Sequence, residues 1–166
     1  VMCRTGEEGA NGVSCLLVEK GTKGLSFGKQ EKKMGWNSQH TSMVNFDNCE
    51  IPIDNLVGNE GDGFKIAMKG LDGGRVNIAA CSLGGARAAL EASISYSAER
   101  KQFGKSIDQF QVTQFKLADM ATELEAARLM VLRAARSLDT HDIKATKLCA
   151  MAVSYTHLTL PTKVTG

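Results

Sequence analysis

The sequence predicts an α+β chain in which antiparallel β structure comes first and an antiparallel α-helical bundle follows. Three observations lead there. Up to about Leu56 the apolar residues fall in short, strand-length runs between glycine-rich turns. From Gly63 onward they recur at helical spacing. The later periodic stretches are long and joined by short connections, as in a bundle. With 166 residues, 43% of them hydrophobic, the chain suits one domain or two small ones with a packed core.

The strand-like runs are Val1–Arg4, Ser14–Glu19, Leu25–Lys29 and Thr41–Phe46. Between them lie Gly6–Gly12 and Lys20–Gly24, whose glycines supply positive φ at turns. Ile51-Pro52-Ile53 marks an edge strand or its exit, because proline cannot donate to a central ladder. Gly58-Asn59-Glu60-Gly61-Asp62-Gly63 lacks the glycine spacing and the following Lys-Ser or Lys-Thr of a nucleotide loop, so it reads as the linker from sheet to bundle.

In the first helical stretch Phe64, Ala67, Met68 and Leu71 share a face, and a bend is expected at Asp72-Gly73-Gly74 before the pattern resumes through about Glu99. Gly84-Gly85 lies inside it at a cost of about 1 kcal/mol per glycine, which points to another helix backbone approaching closely there. After a loop holding Gly104, Ser106 and Asp108, a helix of about seven turns places Leu117, Met120, Ala121, Leu124, Ala127, Val131, Ala134, Ala135 and Leu138 on one face. Another begins near Asp142, with Ile143, Ala145, Leu148, Cys149 and Ala152 apolar. Its pattern ends abruptly in residues 154–162. The threonine- and leucine-rich run 154–166, with Pro161, reads as a foreign, poorly ordered tail.

The net charge of +2 comes from interspersed signs, and Lys32-Lys33 near Lys29 is a solvated hairpin rather than a basic face for nucleic acid. Five cysteines without a Cys-x-x-Cys, and His40, His141 and His157 far apart, suggest reduced thiols, a reducing compartment and no metal site. No apolar run approaches the roughly 20 residues that cross a bilayer. The first residue is a valine in a strand-like run, which suggests a chain cut from something longer, any targeting peptide missing with it.

Gly104-Lys105-Ser106 resembles the end of a phosphate-binding loop, but Glu99 stands where the first glycine belongs and a helix precedes it, so a P-loop is rejected. No Gly-x-Ser-x-Gly is present. Asp72-Gly73-Gly74-Arg75 has two readings, both open at this point. Asp72 can cap a helix, or the glycine pair can bring backbone to a ligand between an acceptor and a fixed cation. Arg75 and Arg100 would lie roughly 37 Å apart on a continuous helix. Each therefore serves a different anion, or a different portion of an elongated phosphate-rich ligand, one that a neighbouring subunit can hold.

Gly35-Trp36-Asn37-Ser38-Gln39, Val44–Pro52, Gly61-Asp62-Gly63-Phe64, Leu71–Arg75, Arg100-Lys101-Gln102-Phe103-Gly104 and Gln114–Ala121 together resemble the acyl-CoA dehydrogenase family, in order and spacing, over roughly residues 1–151. Gly35–Ser38 and Gly73–Ala79 are most similar to the branch acting on short branched-chain thioesters such as isobutyryl-CoA, of valine catabolism. Butyryl-type and 2-methylbutyryl-type enzymes are alternatives, and a helical assembly module without cofactor is an alternative of another class.

The resemblance implies a β-barrel or β-sandwich middle domain ending at residues 1–57, part of a C-terminal helical bundle at 58–153, and a non-family tail at 154–166. It implies α,β-dehydrogenation of an acyl-CoA, with FAD as cofactor and electron-transferring flavoprotein as acceptor. A homotetramer, with FAD shared across a subunit interface, and a mitochondrial matrix location, or the cytoplasm if bacterial, follow in the same way. Asp72, Gly73, Gly74 and Arg75 would line the acyl-CoA site, and Arg100, Gln102, Phe103, Phe110 and Gln111 would touch FAD. The family's glutamate base lies beyond the matched residues. Glu91, Glu99, Glu123 and Glu125 read as solvated helix faces, so no catalytic residue is assigned.

Overall fold

The computed structural model describes residues 1–159, with side chains placed through Thr156. The chain divides into two compact units, Val1–Met68 and a second beginning at Lys69.

In the first unit β1 (Met2–Arg4) pairs antiparallel with β2 (Val13–Cys15), Cys3 opposite Ser14. Strands β3 (Leu25–Phe27) and β4 (Val44–Phe46) form a second antiparallel ladder with Ser26 opposite Asn45. The residues between them are a hairpin extension, as Gly28 N–H donates to Met43 O at 2.8 Å and Glu31 N–H to Thr41 O at 2.8 Å. The segment after Pro52 lies along β2: Leu17 N–H donates to Asn55 O and Val57 N–H to Cys15 O, both at 2.9 Å. The β part therefore consists of small antiparallel hairpins. Each strand is three residues long, shorter than its strand-like run.

The buried Ser14 hydroxyl accepts from Gly61 N–H at 2.9 Å and meets Thr5 Oγ1 at 2.7 Å, fixing the linker against β2. Gly63, the first residue of α1, is required here. A Cβ at that position would stand 2.5 Å from the Ser14 carbonyl carbon.

Helix α1 (Gly63–Glu99) runs through Asp72-Gly73-Gly74 without the expected bend. Those glycines keep negative φ, and the Asp72 carboxylate that was to interrupt the helix is held instead by Arg75, one turn on. After α1, β5 (Lys101–Gln102) and β6 (Lys105–Ser106) form a two-residue hairpin where a plain loop was expected, with Phe103 (φ 50°) and Gly104 (φ 80°) at its tip. Helix α2 (Gln111–Asp139) is followed by α3 (Ala145–Thr159).

The three helices pack as a bundle around Ala79 of α1, Val131 and Ala134 of α2, and Cys149 and Ala152 of α3. Small side chains make up most of the fully buried set, and the larger Val76, Leu83, Met130, Leu138, Leu148 and Val153 pack around it partly buried. The expected α2 face is buried only in its second half: Ala127, Val131 and Ala134 are buried, whereas Met120 and Ala121 are exposed. The α1 face of Phe64, Met68 and Leu71 is also largely exposed.

Three further expectations are corrected. No backbone approaches Gly84-Gly85, as a Cβ at either would meet nothing within 4 Å. A groove of about 540 Å³ opens there, bounded by larger side chains including Leu83, Leu90 and Ile94 of α1 and Leu124 of α2. Ile143 is exposed because α3 starts two residues after it. Helix α3 continues past Val153 to Thr159, since the buried Thr156 returns its hydroxyl to Ala152 O at 2.9 Å, satisfying a β-branched polar residue inside the helix. Residues 154–159 of the expected tail are thus helical, and residues 160–166 lie outside the described residues, as does the His157 side chain.

Candidate functional site

Two groups of side chains on the second unit answer to the residues singled out in the sequence. In the first, Asp72 sits nearly buried on α1, and Arg75, one turn along, donates from Nη1 to its Oδ1 at 2.7 Å. The other oxygen, Oδ2, accepts from Thr146 Oγ1 of α3 at 2.6 Å. Both carboxylate oxygens are therefore engaged, and Arg75 is held with about a third of its side chain exposed. A guanidinium fixed in this way offers its remaining N–H groups to an anion at little cost in rotamer freedom. Gly73 and Gly74 follow as bare helix surface with nothing within 4 Å of an added Cβ, Gly74 being exposed. The structure joins Asp72 to Arg75 and leaves the glycine pair open beside them.

Cys149 lies under this group, fully buried. Burial pushes its thiol above the ordinary value, the Asp72 carboxylate adds to the shift, and Arg75 opposes it. It is a neutral core residue, not a nucleophile.

The second group gathers at the β5–β6 hairpin and the start of α2. Arg100 N–H continues the α1 ladder by donating to Tyr96 O at 2.9 Å, while its side chain has no ion pair among the described residues. Gln102 lies in β5, and Gln111 is the first residue of α2. Phe103 and Phe110 meet edge to face, centroids 6.4 Å apart at 87°, and Phe103 stays 94% exposed. All five named residues therefore come to one end of α1.

Sequence reasoning missed two members. Lys105 Nζ stands 4.3 Å from the Phe110 ring centroid, a cation over an aromatic face. Its position after the Phe103-Gly104 turn was the available signal. Thr146 had none, since its partner is 74 residues away.

The unbroken α1 keeps the two groups apart. From Arg75 to Arg100 the helical rise gives roughly 37 Å. Two of the helix-face glutamates are committed to arginines. Glu91 pairs with Arg87 and Glu125 with Arg128, each at 2.7 Å, and the hydrogen bond from Arg128 holds the Glu125 carboxyl below its ordinary value, the opposite of what proton abstraction needs.

Residues 61–160 match the acyl-CoA dehydrogenase C-terminal domain. The chain is 55% identical over 152 residues to the mitochondrial isobutyryl-CoA dehydrogenase of Bos taurus, spanning 92% of this chain and 36% of that protein. It superimposes on the butyryl-CoA dehydrogenase of Megasphaera elsdenii with a TM-score of 0.86 at 41% identity, covering 93% of this chain and 40% of that one. It is also similar to a chain of the structure described as the electron transferring flavoprotein of Acidaminococcus fermentans, with a TM-score of 0.81 at 48% identity over 89% of this chain and 39% of that one. With a family domain matched across most of its length, and spanning little over a third of the bovine relative, this chain belongs to the acyl-CoA dehydrogenase family.

Proposed function

We propose that the chain is part of a flavin-dependent acyl-CoA dehydrogenase acting on a short branched-chain thioester, isobutyryl-CoA. The observation that carries this reading is the 55% identity over 152 residues to a protein named for that substrate. Residues 1–57 serve as the end of its β-domain and residues 58–153 as part of its helical domain.

In the proposed division of labour Arg75, steadied by Asp72 and through it by Thr146, offers positive charge beside the acyl-CoA. Gly73 and Gly74 let that ligand approach the α1 backbone, where any side chain would stand in the way. The residues at the other end of α1 fit FAD in kind. Arg100, with no acidic partner among the described residues, suits a pyrophosphate. Gln102 and Gln111 supply amide donors and acceptors. The outward Phe103 ring and Phe110 offer apolar faces to a flat heterocycle. FAD, when bound, supplies the acceptor for the β-hydride, and electrons pass on to electron-transferring flavoprotein. The α-proton goes to a glutamate outside these residues. The assembly is a homotetramer in the mitochondrial matrix, or in the cytoplasm if bacterial. Exposed Phe64, Met68 and Leu71 support burial against further protein.

The test uses the complete protein that contains these residues. It should be yellow as purified and reduce a dye with isobutyryl-CoA at a kcat/KM at least tenfold above that for butyryl-CoA. Colourless protein, or a preference for butyryl-CoA, overturns the assignment. The second outcome favours the butyryl reading. The 166-residue chain alone should give no turnover.

A further inference from the structure

The end of α2 and the connection to α3 line an open cavity of about 270 Å³, bounded among others by Arg133, Arg136, Ser137, Thr140, Asp142 and Lys144. Arg133, Arg136 and Ser137 of α2, with Thr140 at its C-cap, follow i, i+3, i+4, i+7 spacing and so fall on one side of the end of that helix. The connection to α3 brings Lys144 to the same opening. Arg133, Arg136 and Lys144 are exposed and make no ion pair among the described residues, unlike Arg75, Arg87 and Arg128. One carboxylate, Asp142, also lines the cavity, its Oδ1 accepting from Lys144 backbone N–H at 2.9 Å, and its single negative charge stands against three cations. Positive charge is left in excess.

Ser137 gives an independent sign of a ligand. It is only 6% exposed, and its hydroxyl has no hydrogen-bond partner among the described residues. Other helical serines return the hydroxyl to a carbonyl of the preceding turn, as Ser82 does to Ile78 O at 3.1 Å, Ser93 to Ala89 O at 2.7 Å and Ser97 to Ile94 O at 2.9 Å. A buried hydroxyl left unmade costs about 1–3 kcal/mol. An acceptor entering the cavity removes that cost.

We propose that this turn binds a phosphate group, with Arg133, Arg136 and Lys144 as the charged donors and Ser137 as the buried neutral one. Two guanidinium forks and an ammonium match several oxygens on one centre, which a tetrahedral phosphate provides and a planar carboxylate does not. The volume admits inorganic phosphate or the phosphoryl end of an ester. The proposal goes beyond the function proposed above and uses none of the residues named there.

The test is calorimetric titration of the 166-residue chain with inorganic phosphate, and separately with AMP as an ester probe, at constant ionic strength set by chloride. One saturable site is expected. Arg133→Gln and Arg136→Gln together should weaken it at least tenfold, Ser137→Ala about threefold, and Arg136→Lys less than Arg136→Gln. The two arginines are exposed, so these variants should keep the parent's circular dichroism. Ser137→Ala should unfold at the same temperature as the parent or higher, since it removes an orphaned hydroxyl. Equal affinity for phosphate and AMP supports the site with free phosphate as ligand, and tighter AMP binding supports it with an ester. No saturable binding of either probe, or binding that the double arginine variant leaves unchanged, overturns the proposal.

Discussion

Thr146 Oγ1 donates to Asp72 Oδ2 at 2.6 Å, joining α3 to α1 across 74 residues of sequence. The bond completes the partners of a nearly buried carboxylate whose other oxygen holds Arg75. A helix contact made through polar atoms thereby becomes the support of the cation proposed to face the substrate.

Thr146→Val keeps the shape and removes the donor. Hydrogen bonds to charged groups contribute about 1.5–3 kcal/mol, so denaturant unfolding should show a loss in that range, with Thr146→Ser recovering most of it. An unchanged midpoint in Thr146→Val would mean that the bond contributes nothing to holding α1 and α3 together.

Gly63→Ala should destabilise by about 1–3 kcal/mol, because its Cβ would meet Ser14 backbone at 2.5 Å and backbone cannot yield cheaply. Gly84→Ala is the opposite case. With nothing within 4 Å and a helical φ, it should stabilise by about 0.5–1 kcal/mol. Chemical denaturation of both variants checks the pair, and equal effects of like sign would contradict the geometry.

Much of this was legible in the sequence, and the losses have physical causes. Period-two and period-3.6 patterns located the β–α change, because burial on one face imposes the spacing whatever the tertiary partner. Glycine is a poorer guide inside a helix. Asp72-Gly73-Gly74 looked like a bend and Gly84-Gly85 like a close contact, but a long helix absorbs the cost of glycine when neighbouring turns are held, here by Arg75 on Asp72. The end of α3 was lost for a related reason: threonine lowers local helix propensity, and only the structure shows Thr156 buried with its hydroxyl returned to Ala152. Of the candidate site, Arg75 and Arg100 could be named from motifs, whereas Thr146 could not, since a partner 74 residues distant leaves no local trace.

Alkylation should separate the cysteines. Cys81 is exposed and should react with iodoacetamide in the folded protein at pH 8, whereas Cys149 is fully buried with its thiol pushed upward and should react only after unfolding. Peptide mass mapping at short times reads this directly, and early labelling of Cys149 would refute the packing of α3.

Asp62 supplies a pH dependence in the first unit. Its Oδ2 accepts from Asn59 backbone N–H and from Asn59 Nδ2, both at 3.1 Å, and these bonds, the backbone one foremost, hold its carboxyl below the ordinary 3.8. A depressed folded value means that the charged form is favoured on folding. The contribution is fully present above 3.8 and is lost as pH falls through the lower folded value. Carboxyl chemical shifts followed by NMR should show Asp62 titrating below that point, and Asp62→Asn should flatten this part of the acid unfolding curve.

The uninterrupted course of α1 sets bearing as well as distance. Arg100 keeps the backbone ladder through Tyr96, so the 25 steps from Arg75 amount to almost seven full turns, and the two side chains leave the axis within about 20° of one another. Deleting or adding one residue between them would swing one guanidinium by about 100° while barely altering the span. Length variation inside this helix should therefore be tolerated only in increments that restore the phase.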